Sequence, residues 1–185
     1  MTQRKQYFFL ILTVFLLIFA AACKSSKPSA LILSELQNEQ SEFQYKELEW
    51  GMSSEQITAQ KGWNWEQIEG TGSSIEGIEN YYAVDSISLQ GITGTCRLEL
   101  VNDQVCSLYF TFKQEKADPA VFETIRDELL DLYGEPDKTS TGNTNQLYLW
   151  KTDTTMLQAG YLPDKSNGAS IVITIGAPSY ALQTN

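Results

Sequence analysis

The chain has 185 residues, 42% hydrophobic and 11% aromatic, enough apolar material for one domain with a real core. Its 13 Lys and Arg face 23 Asp and Glu, a net charge of −10, a surface expected to repel nucleic-acid backbones and anionic lipid headgroups, so no nucleic-acid partner is expected. Histidine is absent, which removes serine triads, cysteine–histidine dyads and most zinc sites.

In chain order, Arg4 and Lys5 come first, then an apolar run from Tyr7 to Phe19, then Ala20, Ala21 and Ala22 before Cys23. A charged start, an apolar middle and a small-residue cleavage site are the layout of a secretory signal. With the cysteine placed directly after the alanines, it resembles the type II signal of bacterial lipoproteins. The resemblance covers about the first twenty-five residues, and Ala20 stands where that family most often has Leu. It implies cleavage after residue 22, leaving Cys23 as the first residue of the mature chain with acyl chains on its sulfur. A spanning helix is the weaker reading, because the run is at the short end of the ~17–25 residues that a bilayer needs. Two or more acyl chains give stable anchoring. The expected address is the extracytoplasmic face of the cell membrane, with the membrane as first partner. The remaining chain carries 11 basic residues against the same 23 acidic ones.

Lys24 to Ser29 is polar, and Ser34 to Glu42 is rich in Gln, Glu and Ser, so residues 23–42 read as a flexible tether. The apolar Ala30-Leu31-Ile32-Leu33 inside it is a docking contact or a fortuitous patch, and the second is expected. One domain is expected over 43–178, with a tail over 179–185.

Ser53 and Gln56 form a capping box for a first helix, with Met52 and Ile57 as a hydrophobic staple and Gly62 as its stop near Lys61. Strands follow over 80–89, 93–101 and 105–112. Cys96, Leu98 and Leu100 alternate with Arg97 and Glu99; Cys106, Leu108, Phe110 and Phe112 alternate with Ser107, Tyr109 and Thr111. Such alternation predicts an antiparallel sheet with one buried and one wet face, turning at Asn102-Asp103. Asp118-Pro119 opens a second helix with Phe122, Ile125, Leu129, Leu132 and Tyr133 on one stripe and Gly134 and Pro136 at its end. Strands over 146–151, 155–161 and 169–175 complete the body, the last two joined by a turn over 164–168.

The fold class is therefore α+β, an antiparallel sheet with two helices packed on one face, and the order suggests a tandem α-β-β-β duplication. The run Trp50-Gly51-Met52-Ser53, a meander, and Tyr133-Gly134-Glu135-Pro136 after a helix resemble small β-lactamase-inhibitor-like and outer-membrane-assembly-lipoprotein-like modules. That resemblance implies a protein-binding module and transfers no individual binding residue.

Cys96 and Cys106 are both expected to face inward, too far apart along the hairpin to bridge, and so to remain free thiols. Two candidate binding surfaces emerge. One is aromatic, around Trp63 and Trp65, which are either core or exposed anchors. The other is the wet face made by Arg97, Glu99, Tyr109 and Thr111. The expected function is a non-catalytic, lipid-anchored binding or scaffold module of the cell envelope, with an envelope or secreted protein as partner and no cofactor or metal. The alternative is a small-ligand carrier with the Trp63–Trp65 loop as lid. No pair of acidic residues stands out for hydrolysis.

Overall fold

The computed structural model describes residues 28–60, 64–68, 78–142 and 145–181. The signal segment with Ala20, Ala21, Ala22 and Cys23, and also Gly62 and Trp63, lie outside the described residues. In order, the elements are β1 (Ser29–Ala30), a 3-10 turn (Leu33–Glu35), α1 (Ser54–Ala59), β2 (Trp65–Gln67), β3 (Ile78–Ala83), β4 (Ile87–Leu89), β5 (Ile92–Val101) and β6 (Gln104–Gln114). Then come α2 (Pro119–Tyr133), β7 (Lys138–Thr141), β8 (Gln146–Lys151), β9 (Met156–Pro163), β10 (Ala169–Gly176) and α3 (Pro178–Ala181). The architecture is α+β, dominated by a ten-stranded sheet.

The central hairpin forms where the alternation is cleanest. Val101 pairs with Gln104, leaving a two-residue turn in which Asn102 and Asp103 both adopt positive φ, 51° and 59°. Such a turn matches the right-handed twist of the strands it joins, and short Asx side chains tolerate it. The tip is tied down: Asp103 Oδ1 accepts the Ser54 amide at 2.8 Å, at the start of α1. The strand order is β1-β4-β5-β6-β10-β9-β8-β7, with β3 on the other half of the β5 edge and β2 outside β3. A single strand over 80–89 is thus replaced by two, β3 and β4, pairing with the two ends of β5. Among the described residues, all strand pairings are antiparallel except that of β1 with β4, which is parallel, so the sheet is not purely antiparallel.

A bulge interrupts the central hairpin. Glu99 faces Ser107, but Leu100 faces Val105, leaving Cys106 as the extra residue. Cys96 stays in the core opposite Phe110, whereas the Cys106 sulfur turns to Glu99, 3.4 Å from its carbonyl oxygen. The inward alternation expected of Cys106 fails for this reason. Both thiols are free and buried.

The covered face carries Leu98, Leu108, Phe110, Phe112, Leu157, Tyr161, Ile171, Ile173 and Ile175, and α1 and α2 add Ile57, Phe122, Ile125 and Leu129 to the same cluster. The caps are as the residues demand. Ser53 and Gln56 form the reciprocal capping box, and the Asp118 side chain accepts the Ala120 amide ahead of Pro119. Gly134 at φ 75° closes α2 on the Leu130 carbonyl. Leu132 departs from the stripe and is exposed. Helix α1 ends at Ala59 rather than near Lys61. Gln60 is already extended, and its amide side chain is drawn onto the Glu47 carbonyl at 2.9 Å.

The flexible tether expected over 23–42 does not hold for residues 29–42. Leu31, Leu33 and Leu36 are buried in the core, and the amides of Ser29 and Leu31 bond to the carbonyls of Ser86 and Ser88 at 3.0 and 2.8 Å. The Tyr133 hydroxyl donates to the Leu33 carbonyl, and Phe43 meets the Tyr133 ring edge-on at 5.4 Å. Glu42 fastens the segment to the β8–β9 turn. Its Oε2 accepts the hydroxyls of Thr152, Thr154 at 2.8 Å and Thr155 at 2.6 Å. Within the Ala30–Leu33 patch, Leu31 and Leu33 are core contacts, whereas Ala30 and Ile32 are exposed.

Candidate functional site

Side chains on the other face of the sheet come from the polar phase of the same alternation. Register places Arg97 opposite Tyr109, Thr95 opposite Thr111 and Glu99 opposite Ser107. Arg97, Glu99, Tyr109 and Thr111 are thereby brought together on adjacent strands. The Arg97 guanidinium lies 4.4 Å from the Tyr109 ring centre, and the Tyr109 hydroxyl donates to Glu99 Oε1 at 3.4 Å. A cation over an aromatic face and a carboxylate on its hydroxyl hold the ring from both ends. Burial, and after it the negative charge of Glu99, push the Tyr109 hydroxyl above its ordinary value. It therefore remains a neutral donor at any physiological pH.

This face continues across the sheet in rows. Tyr109 is followed by Thr174, Gln158, Leu149 and Lys138; Thr111 is followed by Val172, Gly160, Leu147 and Ser140. Tyr82 pairs with Arg97 and is exposed. Val172, Gln158, Leu147 and Leu149 are half-buried, giving an apolar centre with a polar border. Two hollows mark its ends. One of about 610 Å³ lies among Tyr82, Ser86, Thr93, Thr95, Arg97 and Lys113. The other, about 500 Å³, lies among Lys138, Ser140, Leu147, Leu149 and Gln158.

No family model, curated protein or solved structure matches this chain.

The charge is divided between the two sides. Register puts Arg97, Lys113, Lys138 and Lys151 on the open face, against Glu66 and Glu99. Helix α2 on the covered side exposes Glu123, Asp127 and Asp131, with Arg126 spent on Asp127 at 2.7 Å. Near Lys113, the β9–β10 turn holds the Asp164 carboxyl below its usual range, chiefly through the Ser166 hydroxyl and the Ser166 and Gly168 amides, with Lys113 a minor contributor.

The aromatic candidate divides differently. Trp65 is 9% exposed, belongs to the core cluster and pairs with Ala83, so its ring is not offered to a partner. Tyr81 is also core, while Trp63 lies outside the described residues. Tyr82, Val172, Gln158, Leu147 and Leu149 were missed as members of the face. Their alternation was visible, but the β6–β10 pairing that joins the two halves is long-range and carries no local signal. Among the described residues, no group of three or more Cys, Asp or Glu converges as metal ligands, and no helix is long and apolar enough to cross a membrane.

Proposed function

We propose that this protein is a non-catalytic, lipid-anchored binding module of the bacterial cell envelope, tethered through Cys23 on the extracytoplasmic side and presenting its open sheet face to a protein partner. The observation that carries the reading is the pre-ordered Arg97–Tyr109–Glu99 cluster beside a half-buried apolar centre. Arg and Tyr are the residues that concentrate interface energy, and a ring already held in place loses little entropy on binding. The resemblance of Trp50–Ser53 and Tyr133–Pro136 to inhibitor-like and assembly-lipoprotein-like modules supports the same class. The strand order supports a duplication: α1 with β3, β5 and β6, and α2 with β8, β9 and β10, meet along β6 and β10.

The test is site-specific photo-crosslinking in intact cells. A photoreactive residue at Leu147 or Leu149 is expected to give a discrete covalent adduct with one envelope or secreted protein, and the same residue at Glu123 none. Equal adducts at all three positions, or none at the first two, would sink the reading. Cys23→Ser is expected to release the protein from the membrane fraction and abolish fatty-acid labelling.

A further inference from the structure

We infer that the hollow at the β4–β5 corner is a docking site for the phosphate groups of anionic lipid headgroups, so that this corner of the domain faces the bilayer. The inference rests on the Cys23 anchor proposed above. The first described strand ends at the hollow itself: the Ser29 amide bonds to the carbonyl of Ser86, and Ser86 lines the hollow. Only Lys24, Ser25, Ser26, Lys27 and Pro28 separate Cys23 from Ser29. Six peptide steps span at most about 21 Å, so a lipidated Cys23 holds this corner within that distance of the membrane surface whatever path those residues take.

The chemistry of the hollow agrees with its position. Its lining carries Arg97 and Lys113 and no carboxylate, with the hydroxyls of Ser86, Thr93, Thr95 and Thr111 between them. Arg97 and Thr93 lie four residues apart on β5, and Lys113 lies one step beyond Phe112, the partner of Gly94. The two cations are thus separated by roughly 14 Å along the strands, room for two headgroups. Hydroxyls and a guanidinium are the donors that phosphate oxygens accept. Glu66 opposite Tyr82, Asp85 beside Ser86, Glu99 on the far side of the Tyr109 ring from Arg97, and Asp164 near Lys113 border the hollow without lining it. In a chain of net charge −10, a cationic recess at the point where the anchor enters turns the long-range repulsion of the acidic helix side outward. Lys24 and Lys27 add charge of the same sign along the connecting residues. The far end of the open face, at Leu147 and Leu149, is four strand spacings from β5, roughly 19 Å, and remains clear for a protein partner.

The test uses the full lipidated protein, its acylation verified by mass, in vesicles of phosphatidylcholine alone or mixed equally with phosphatidylglycerol. Lysines are acetylated with a water-soluble reagent and their rates read by peptide mass spectrometry. Lys113 is expected to react about fivefold more slowly in the anionic vesicles, the effect of one cation held at an anionic surface. Lys138 and Lys151 should be unchanged, and Arg97→Glu should erase the difference at Lys113. Equal Lys113 rates in both vesicles would overturn the inference, as would equal protection of Lys138 and Lys151. Protection of Lys113 by inorganic phosphate without vesicles would assign the hollow to a soluble anion and overturn the lipid commitment. A chain found without acyl groups overturns the anchor reading itself, an outcome separate from every result on Lys113.

Discussion

At the residue scale, Glu42 shows how one carboxylate can replace an expected tether with a fixed segment. The hydroxyls of Thr152 and Thr155, and more weakly that of Thr154, hold its carboxyl below the ordinary value. The folded state therefore takes up this proton less readily than the unfolded chain. The stabilisation is complete above about pH 4.3, the usual Glu value, and fades as pH falls through and below it. Glu42→Gln is expected to cost about 1 kcal/mol at neutral pH, at the lower end for a charged hydrogen-bonding group because the site is partly hydrated. In denaturant titrations the gap from the parent protein should narrow towards pH 3; a gap independent of pH would contradict the account.

The two thiols make a second residue-scale case. Burial pushes the Cys106 thiol up to about 11 and Cys96 higher still. Both should therefore alkylate at pH 8 at least a hundredfold more slowly than an ordinary exposed cysteine, because the thiolate is the reactive form. The intact folded domain should show no mass change on reduction. Fast labelling of Cys106 would mean that the bulge opens readily.

At the element scale, the strongest local rules were legible and the long-range ones were not. The capping box at Ser53, the Asp118-Pro119 start, the Gly134 stop and the Asn102-Asp103 hairpin are each written in a few neighbouring residues, and each formed. The Cys106 bulge was hidden because strict alternation continues straight through it in the sequence. Strand β7, Lys138–Thr141, was missed because all four residues are exposed and polar, so no apolar phase marks it. Such a composition suits an edge that must not recruit another strand.

Two element-scale substitutions test the packing. A Cβ at Gly94 would lie 2.4 Å from the Phe112 ring and 2.5 Å from the Thr111 carbonyl oxygen. Gly94→Ala should thus destabilise by about 2 kcal/mol in equilibrium unfolding, through overpacking in the central hairpin. Leu36 is fully buried, and Leu36→Ala should cost about 3 kcal/mol. A change near zero at Leu36 would return this segment to the status of a loose leader.

At the scale of the whole molecule, the class was readable from two amphipathic helices and a repeated meander, whereas the strand order was not. Pairing β6 with β10 closes contacts more than fifty residues apart in sequence, as between Phe112 and Ile171, and only the global burial of both apolar phases selects it. The same pairing decides the candidate site. Four of its members could be named from one hairpin, but Val172, Thr174, Gln158, Leu147 and Leu149 join only once the halves meet. Charge followed a similar course. The total was known from composition, while its division into an open face where Arg97 and three lysines outnumber Glu66 and Glu99, and an acidic helix side, required the register. If that division steers association, raising salt from 50 to 500 mM should slow partner capture at the open face, and Lys138→Glu with Lys151→Glu should reproduce the slowing at low salt. Capture insensitive to both would leave the apolar centre as the whole of the attraction.

The parallel seating of Ser29 and Leu31 beside Ser86 and Ser88 has a mechanical consequence. Tension on the amino-terminal end runs lengthwise along that short ribbon, so its two amide bonds strain together instead of peeling in turn.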